Sequence, residues 1–190
     1  SITGNIISTN GTSNNVGIFL TTSVNFNTIA FNNIFTFGLK SGNYGISLSI
    51  YSNNNVISFN TISTNGADSN HGIFVRVSDN NSIINNKIST NGLKDSNGGI
   101  YLTNSRYNII SYNDISTNGT NNRFGVNFIA SQNNTLSFNK ISTSGTKSDA
   151  LTFSTYTVFK NITFYTGSNN LISNTLLNVS GLDLNISSLN

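Results

Sequence analysis

Apolar residues recur along the chain in short alternating runs that are separated by asparagine and glycine. Ile57 and Ile62 each follow an asparagine by two residues, and the next unit repeats the arrangement at Ile83 and Ile88. A further run, such as the one that begins at Ile73, follows a second glycine. Alternation with a period of two predicts β-strands, so each unit is expected to hold three short strands.

The units form a regular internal repeat. The motif FNTISTNG (Phe59 to Gly66) returns in edited form about every 27 residues, and the last interval is longer. Its terminal glycine recurs as Gly11, Gly38, Gly66, Gly92, Gly119, Gly145 and Gly181. Two asparagine columns keep fixed offsets from this glycine: Asn5, Asn32, Asn60, Asn86, Asn113 and Asn139, and Asn27, Asn55, Asn81, Asn108, Asn134 and Asn170. A constant block joined to loops of slightly variable length is typical of a solenoid.

Three strands and three corners per unit predict one triangular coil, with each strand paired in parallel to its counterpart in the next coil. We therefore predict an all-β fold, a right-handed parallel β-helix solenoid of about six or seven coils. It is expected to form a single domain over residues 1–190, with an enlarged coil at about 150–167. Left-handed hexapeptide helices use shorter coils, and leucine-rich repeats have one strand per unit and a denser leucine signature.

Two properties explain asparagine at the corners. Asparagine tolerates left-handed backbone better than most residues, and its amide can donate to one stacked neighbour while accepting from the other. Thr175 interrupts the second column, which predicts a weaker turn there. A companion column contains Phe31, Phe59, Asn85, Tyr112, Phe138 and Asn174. Continued alternation predicts that its aromatic side chains point inward and stack in the core; sugar binding is the alternative.

Two segments resemble a known family. SNNNVISFNTISTNG (Ser52 to Gly66) and SQNNTLSFNKISTSG (Ser131 to Gly145) are similar to parallel β-helix repeats of pectate-lyase-like proteins, and most of all to the NosD-type repeats of adhesin-like surface proteins. The resemblance is strong from Asn5 to about Gly145 and weak from Leu171 to Gly181. It implies the fold. It does not choose a function, because the family includes lyases, hydrolases, epimerases, tailspikes and inert stalks.

Composition limits the cellular location and the classes of binding partner that we expect for the chain. Only 8% of residues are charged, the net charge is +3, and no basic run is present, so we expect no nucleic-acid binding. No apolar stretch is long enough for a membrane span. The absence of cysteine excludes disulfides and thiolate metal sites. A low-charge chain rich in Asn, Ser and Thr is typical of an extracellular or cell-surface protein.

Candidate catalytic residues are few. The chain has six aspartates and no glutamate. Asp68, His71 and Asp95 lie in loops predicted to share one edge of the rod, and NHG (Asn70 to Gly72) resembles the His-Gly element of polygalacturonase-like hydrolases. The paired acidic motifs of that family are missing, and glycosidases need two carboxyl groups. We therefore predict no enzyme, no cofactor and no metal site; a polysaccharide lyase or hydrolase at this edge is the alternative.

Two further sets of residues are candidates for modification and contact. Seven N-x-S/T sequons are possible glycosylation sites: Asn10, Asn80, Asn118, Asn133, Asn161, Asn178 and Asn185. The aromatic segment from Leu151 to Gly167 is expected either to cover the flank of the helix or to contact a partner through Phe153, Tyr156, Phe159, Phe164 and Tyr165.

The repeat already runs at Asn5, and a strand-like segment follows Gly181. Coil ends without polar caps are expected to associate or to continue a longer rod. The leading hypothesis is therefore a structural extracellular protein that forms part of a stalk, sheath or filament by end-to-end or lateral self-association. The alternative is a carbohydrate-binding or polysaccharide-degrading module.

Overall fold

The computed structural model describes residues 1–92, 96–153, 159–160, 163–166, 171–174 and 185–188, with side chains for 1–92, 96–119, 124–144 and 148–152. This part of the chain contains strands and turns and no helix. The strands are β1 (Ile2–Thr3), β2 (Ile6–Gly11), β3 (Val16–Thr21), β4 (Thr28–Ala30), β5 (Asn33–Gly38), β6 (Tyr44–Ser49), β7 (Val56–Ser58), β8 (Thr61–Gly66), β9 (His71–Arg76), β10 (Ser82–Ile84), β11 (Lys87–Gly92), β12 (Gly98–Thr103), β13 (Ile109–Ser111), β14 (Asp114–Ile129), β15 (Asn134–Ser137), β16 (Asn139–Phe153), β17 (Phe159–Lys160), β18 (Thr163–Thr166), β19 (Leu171–Asn174) and β20 (Asn185–Ser188).

The strands form three parallel sheets that wind into a right-handed β-helix of about five coils, which confirms the predicted fold. The first sheet has the order β1-β4-β7-β10-β13-β15-β17. The second sheet contains β2, β5, β8 and β11, and the third contains β3, β6, β9 and β12. The long strands β14 and β16 pass through the corner between the second and third sheets and pair in both.

Equivalent residues of successive coils lie side by side. Ile62 pairs with Ile88, and Ile88 pairs with Ile115, so one side-chain type fills each vertical file. Because a one-residue slip would turn every inward side chain outward, this register is fixed by the apolar pattern. The internal sequence repeat therefore follows from the stacking of coils, because residues that lie side by side meet the same requirement in each coil.

Three sheets direct apolar files into one continuous core. In a single coil, Ile57, Ile62 and Ile73 are each no more than 1% exposed. The same positions are buried in the other central coils: Ile29, Ile34, Ile46, Ile83, Ile88, Ile100, Ile110, Ile115, Val126, Leu136 and Ile141. Burying a side chain of this size contributes about 1.5–3 kcal/mol.

The two predicted asparagine ladders are present. In the second ladder the Nδ2 of Asn60 donates to the Oδ1 of Asn86 at 3.0 Å, and Asn86 donates in the same way to Asn113 at 3.0 Å. The backbone N–H of each asparagine donates to the same oxygen, as from Asn60 to Asn86 at 3.0 Å. The first ladder runs from Asn27 through Asn134, with backbone N to Oδ1 distances of 2.8 to 2.9 Å.

A third ladder stands at the corner between the second and third sheets, and sequence analysis did not find it. It contains Asn15, Asn43, Asn70 and Asn97, whose Nδ2 to Oδ1 distances are 2.7 to 2.9 Å. The glycine that ends the repeat motif makes room for it. A Cβ on Gly66 would lie 2.7 Å from the side-chain amide atoms of Asn70.

The second glycine column has a different steric role. A Cβ on Gly72 would lie 2.7 Å from the carbonyl oxygen of Gly99 in the next coil and would also strike the side chain of Ile88. At this position the backbone lies so close to the backbone of the next coil and to a core side chain that only glycine fits.

Left-handed backbone lies one residue before each ladder asparagine, and not on the asparagine itself. Phe59 (φ 55°) precedes Asn60, and Asn54 (φ 56°) precedes Asn55. The prediction that the ladder asparagines adopt this conformation is therefore wrong. The preceding residue makes the turn, and the asparagine amide then bridges the coils.

Two predictions concern the C-terminal part. Strands β17 and β18 pair beside the preceding coil, with Phe159 next to Asn134 and Phe164 next to Asn139. Residues 154–158, 161–162 and 167–170 lie outside the described ranges, so the enlarged coil stays a prediction. Asn174 pairs with Phe153 in the third sheet, so its predicted place in the companion column is wrong. Thr175 and its expected weaker turn lie outside the described residues.

Replacing Asn86 tests the ladder. Besides its bond to Asn113, the Nδ2 of Asn86 donates to the carbonyl of Ile57 at 2.9 Å. We expect Asn86→Ala to lower the free energy of unfolding by about 2–4 kcal/mol, because it leaves buried partners without hydrogen bonds. Urea denaturation measures this change.

Asn91→Ala is the matched control, because Asn91 lies in β11, the strand that follows Asn86, with an exposed side chain. It should change the free energy of unfolding by no more than about 0.5 kcal/mol. Equal effects of the two substitutions would show that the ladder does not stabilise the rod.

Candidate functional site

The predicted acidic edge is only partly described. Asp68 lies half-buried at the corner between the second and third sheets, and its Oδ1 is shielded from solvent without a hydrogen-bond partner among the described residues. Asp95 lies outside the described residues. The pairing of Asp68 with Asp95 therefore stays a prediction.

His71 lies in a stack of aromatic rings on the outer side of the third sheet. Its ring is parallel to that of Tyr101 at a centroid distance of 4.8 Å and to that of Tyr44 at 5.4 Å. Phe74 and Phe124 complete the cluster at 5.8 and 5.7 Å. We call these five residues the third-sheet aromatic cluster; His71, at its centre, is 4% exposed.

Strand register builds this cluster from four coils. His71 pairs with Gly98 in the next strand, and Gly98 pairs with Phe124 in the following one. A Cβ on Gly98 would strike the Phe124 ring, so the glycine lets that ring fold back toward His71. Tyr101 and Phe74 are direct neighbours in an adjacent file. The sequence signal that could have revealed this cluster is the alternation of Phe74 and Tyr101 with the inward apolar residues of their strands.

Burial sets the protonation of the cluster. It lowers the pKa of His71 from 6.5 to about 3, because the charged imidazolium would lose its hydration among the rings. Burial also raises the pKa of the Tyr44 phenol, an effect that the nearby Arg76 cation opposes. Burial, together with the Tyr44 side chain, raises the pKa of Tyr101. At neutral pH the cluster is uncharged, and His71 is a neutral stacking partner.

The corner aromatics, Phe31, Phe59, Tyr112 and Phe138, form a second surface. The prediction that they point into the core is wrong: Phe31 is 65% exposed and Phe138 is 52% exposed. All four have left-handed backbone, which turns the side chain outward where simple alternation predicts inward. Phe31 stacks on Phe59 at 5.1 Å, and Tyr112 stacks on Phe138 at 4.9 Å.

The first sheet lies beside these corner aromatics and extends their apolar surface. Val56 and Ile109 are exposed on its outer side, and Phe26 and Tyr107 are exposed at its other corner. The described first-sheet strands from β1 to β15 contain no charged residue. The face is therefore uncharged along the strands from β1 to β15, whereas Lys160 of β17 pairs beside Thr135 and Arg106 is exposed at the corner next to Tyr107.

The sequons occupy different environments. Asn10 and Asn118 are exposed on the outer side of the second sheet, and Asn80 is exposed at the corner before the first sheet. Asn133 is half-buried at that corner. The side chains of Asn161, Asn178 and Asn185 lie outside the described set. Glycosylation stays a prediction at all seven positions.

The proposed contact residues of the aromatic segment lie where side chains are not described. Phe153, Phe159, Phe164 and Tyr165 belong to strands, and Tyr156 lies outside the described ranges. Within the described residues, no three His, Cys, Asp or Glu side chains are grouped to hold a metal ion. None of those residues forms a helix with the length and apolar character needed to cross a membrane.

Comparison with known proteins agrees with this architecture. Residues 1–177 match the family described as right handed beta helix region, and the chain belongs to that family. No curated protein and no solved structure matches the chain. Membership establishes a β-helix repeat protein, and because the family contains both enzymes and non-enzymes it does not assign an activity.

The buried histidine predicts a loss of stability in mild acid. The folded pKa of about 3 lies below the value of 6.5 for a free histidine, so between these values the unfolded chain binds a proton that the folded chain excludes. Stability is therefore full above pH 6.5 and decreases as pH falls. We expect the free energy of unfolding to fall by about 2–3 kcal/mol from pH 6.5 to 4.5.

Chemical denaturation across this pH range measures the effect, and His71→Phe is the matched variant. His71 is the chain's one histidine, and phenylalanine keeps a ring in the stack without a titrating group. The variant should lose most of the pH dependence between 6.5 and 4.5. If the free energy of unfolding of the variant depends on pH as strongly as that of the wild type, titratable groups other than His71 cause the effect.

Proposed function

We propose that this β-helix protein is a structural component of the cell surface, and that its rods associate side by side through the first sheet and the corner aromatics. The observation that carries the proposal is the uncharged face bordered by exposed aromatic rings. The low-charge composition rich in Asn, Ser and Thr supports an extracellular location.

Charge distinguishes this face from its neighbour. The outer side of the second sheet carries Lys87, Asp114 and Lys140, and the latter two form an exposed ion pair at 3.8 Å. The first-sheet strands from β1 to β15 have no charged residue. Interface centres are depleted in charge and enriched in aromatic residues, so the first-sheet face has the composition of a contact surface.

Backbone conformation gives a second argument. Left-handed backbone costs a residue other than glycine or asparagine about 1–2 kcal/mol. Asn85 occupies the same file with φ 57°, so asparagine fits this turn. The four corner aromatics stand at positions where a less strained residue fits, which agrees with a role for their rings at the surface.

The occupant that best fits the face is a second copy of the chain. Each copy repeats its surface once per coil, at about 4.8 Å. Two identical rods therefore keep the corner aromatics in register along the whole contact, whereas a partner with another repeat length loses register. A two-fold arrangement presents the same patch on both copies.

Replacing the corner aromatics by asparagine tests this proposal. Phe31→Asn, Phe59→Asn, Tyr112→Asn and Phe138→Asn together copy the residue that Asn85 already places in the file. We expect the wild-type protein to associate with rising concentration and the fourfold variant to stay monomeric, measured by analytical ultracentrifugation and electron microscopy. The variant should fold at least as stably, because asparagine relieves the strained turn.

The control is Ser63→Asn, Ser89→Asn, Ser116→Asn and Ser142→Asn, which changes the second-sheet face in the same number of coils. All proteins are made in a host without N-glycosylation, because Phe59→Asn and Ser142→Asn each create a new sequon. The control should associate like the wild type. A monomeric wild type at high concentration, or a fourfold variant that still associates, would reject the first-sheet contact.

Carbohydrate binding at the third-sheet aromatic cluster is the second candidate. Tyr44, Phe74 and Tyr101 are half-buried there, so they offer ring surface together with phenolic hydroxyls. Aromatic residues with a polar end suit ligands that are apolar on one face and polar at the edge, as pyranose rings are. This surface differs from the one proposed for association.

Tyr101→Ala should weaken retardation of the protein by at least tenfold in affinity electrophoresis with neutral and acidic polysaccharides. The fourfold corner variant should bind them like the wild type. The double variant Asp68→Asn, Asp95→Asn distinguishes a binding module from a hydrolase. Only an enzyme that uses the predicted acidic edge would lose turnover of the polysaccharide in this variant. A wild-type protein that no polysaccharide retards would remove this candidate.

A further inference from the structure

An open cavity of about 250 Å³ lies on the outer side of the second sheet. Asn10 forms one wall, Phe37 and Leu39 provide apolar surface, and Gly38 and Gly66 lie at its base without side chains. We propose that Asn10 carries an N-linked glycan and that the first sugar of this glycan packs into the cavity against Phe37.

Asn10 has the chemical and steric requirements for attachment. Asn10, Gly11 and Thr12 form an N-x-T sequon, and the side chains of both Asn10 and Thr12 are exposed. Asn10 lies in β2 directly beside Phe37 of β5. A sugar on the Asn10 amide therefore starts at the edge of the cavity and needs no rearrangement to reach it.

Phe37 is otherwise unexplained where it stands. Every other described residue in its file is polar. The file contains Asn10, Phe37, Asn65, Asn91, Asn118 and Ser144. Phe37 is 44% exposed and Leu39 is 81% exposed. Two exposed apolar side chains beside a sequon suit the apolar face of a pyranose, and the Asn65 amide at the far wall can hydrogen-bond its hydroxyls.

The size of the cavity also fits one sugar. Pockets that enclose drug-sized molecules begin at roughly 300 Å³, so a slightly smaller open cavity suits a single ring. The remainder of the glycan extends into solvent. The inference does not depend on the proposed side-by-side contact, because the second sheet faces away from the first-sheet surface.

Other described sequons differ from Asn10 in their surroundings. Asn118 lies in the same file, but its Oδ1 accepts a hydrogen bond from the Ser144 hydroxyl at 2.8 Å. Asn80 and Asn133 lie at a corner with left-handed backbone, outside this cavity. Attachment at Asn10 is therefore distinguished by a preformed surface for the sugar.

The attachment reaction requires a lipid-pyrophosphate-linked oligosaccharide and a transferase of the secretory pathway. The Nδ2 of Asn10 forms a bond to the anomeric carbon, the bond from that carbon to the pyrophosphate oxygen breaks, and Nδ2 loses one proton to a base. The lipid pyrophosphate is the leaving group.

The test secretes the full chain from a eukaryotic host and trims its glycans to a single N-acetylglucosamine with an endoglycosidase. Peptide mass spectrometry should find the sugar on Asn10 in the wild type and none there in Asn10→Gln. We expect the trimmed wild type to have a Tm about 2–4 °C above that of Asn10→Gln. Phe37→Asn, which matches Asn65 and Asn91 in the file, should abolish this difference.

Each contrary outcome would overturn the proposal. An unmodified Asn10 in a protein modified at Asn118 would reject the attachment site. If glycosylated and Asn10→Gln proteins differ in Tm by the same amount when both also carry Phe37→Asn, packing of the sugar in the cavity is rejected.

Discussion

The structure depends on the hydrogen bonds that asparagine side chains make between one coil and the next. A buried amide without partners destabilises a protein, yet Asn60, Asn86 and Asn113 are almost fully buried. Each is tolerated because its neighbours in the file supply both a donor and an acceptor. This mutual dependence holds successive coils in register at the corners. The apolar files, the close glycine contacts and the ordered outer faces all rely on that register.

The sequence predicts the fold well because stacking repeats one chemical requirement in every coil. Alternating apolar residues and two asparagine columns identify three strands, and the structure confirms both columns as ladders. The third ladder was missed because its distance from the motif glycine varies: Asn15 is four residues after Gly11, whereas Asn43 is five after Gly38. Its distance from the second glycine is constant, and that spacing was the available signal.

The surfaces are harder to predict because they depend on local conformation and on neighbouring coils. Alternation from Ile29 places Phe31 inward, but left-handed backbone at Phe31 interrupts the pleat and turns the ring outward. Asp68 and His71 were grouped because they are close in sequence. The burial of His71 instead comes from Tyr44 and Tyr101, which are distant in the chain and adjacent only after the coils stack.

The ladder bonds described above all run in one sense. In every case the amide of one coil donates to the oxygen of the coil that follows along the chain, as from Asn43 to Asn70 and from Asn60 to Asn86. At the ladder positions the two surfaces of a coil are therefore chemically unlike, with amide N–H groups toward the following coil and amide oxygens toward the preceding one. Coils can continue a ladder only head to tail. Two like surfaces brought together would oppose donor to donor or acceptor to acceptor, so the rod is intrinsically polar.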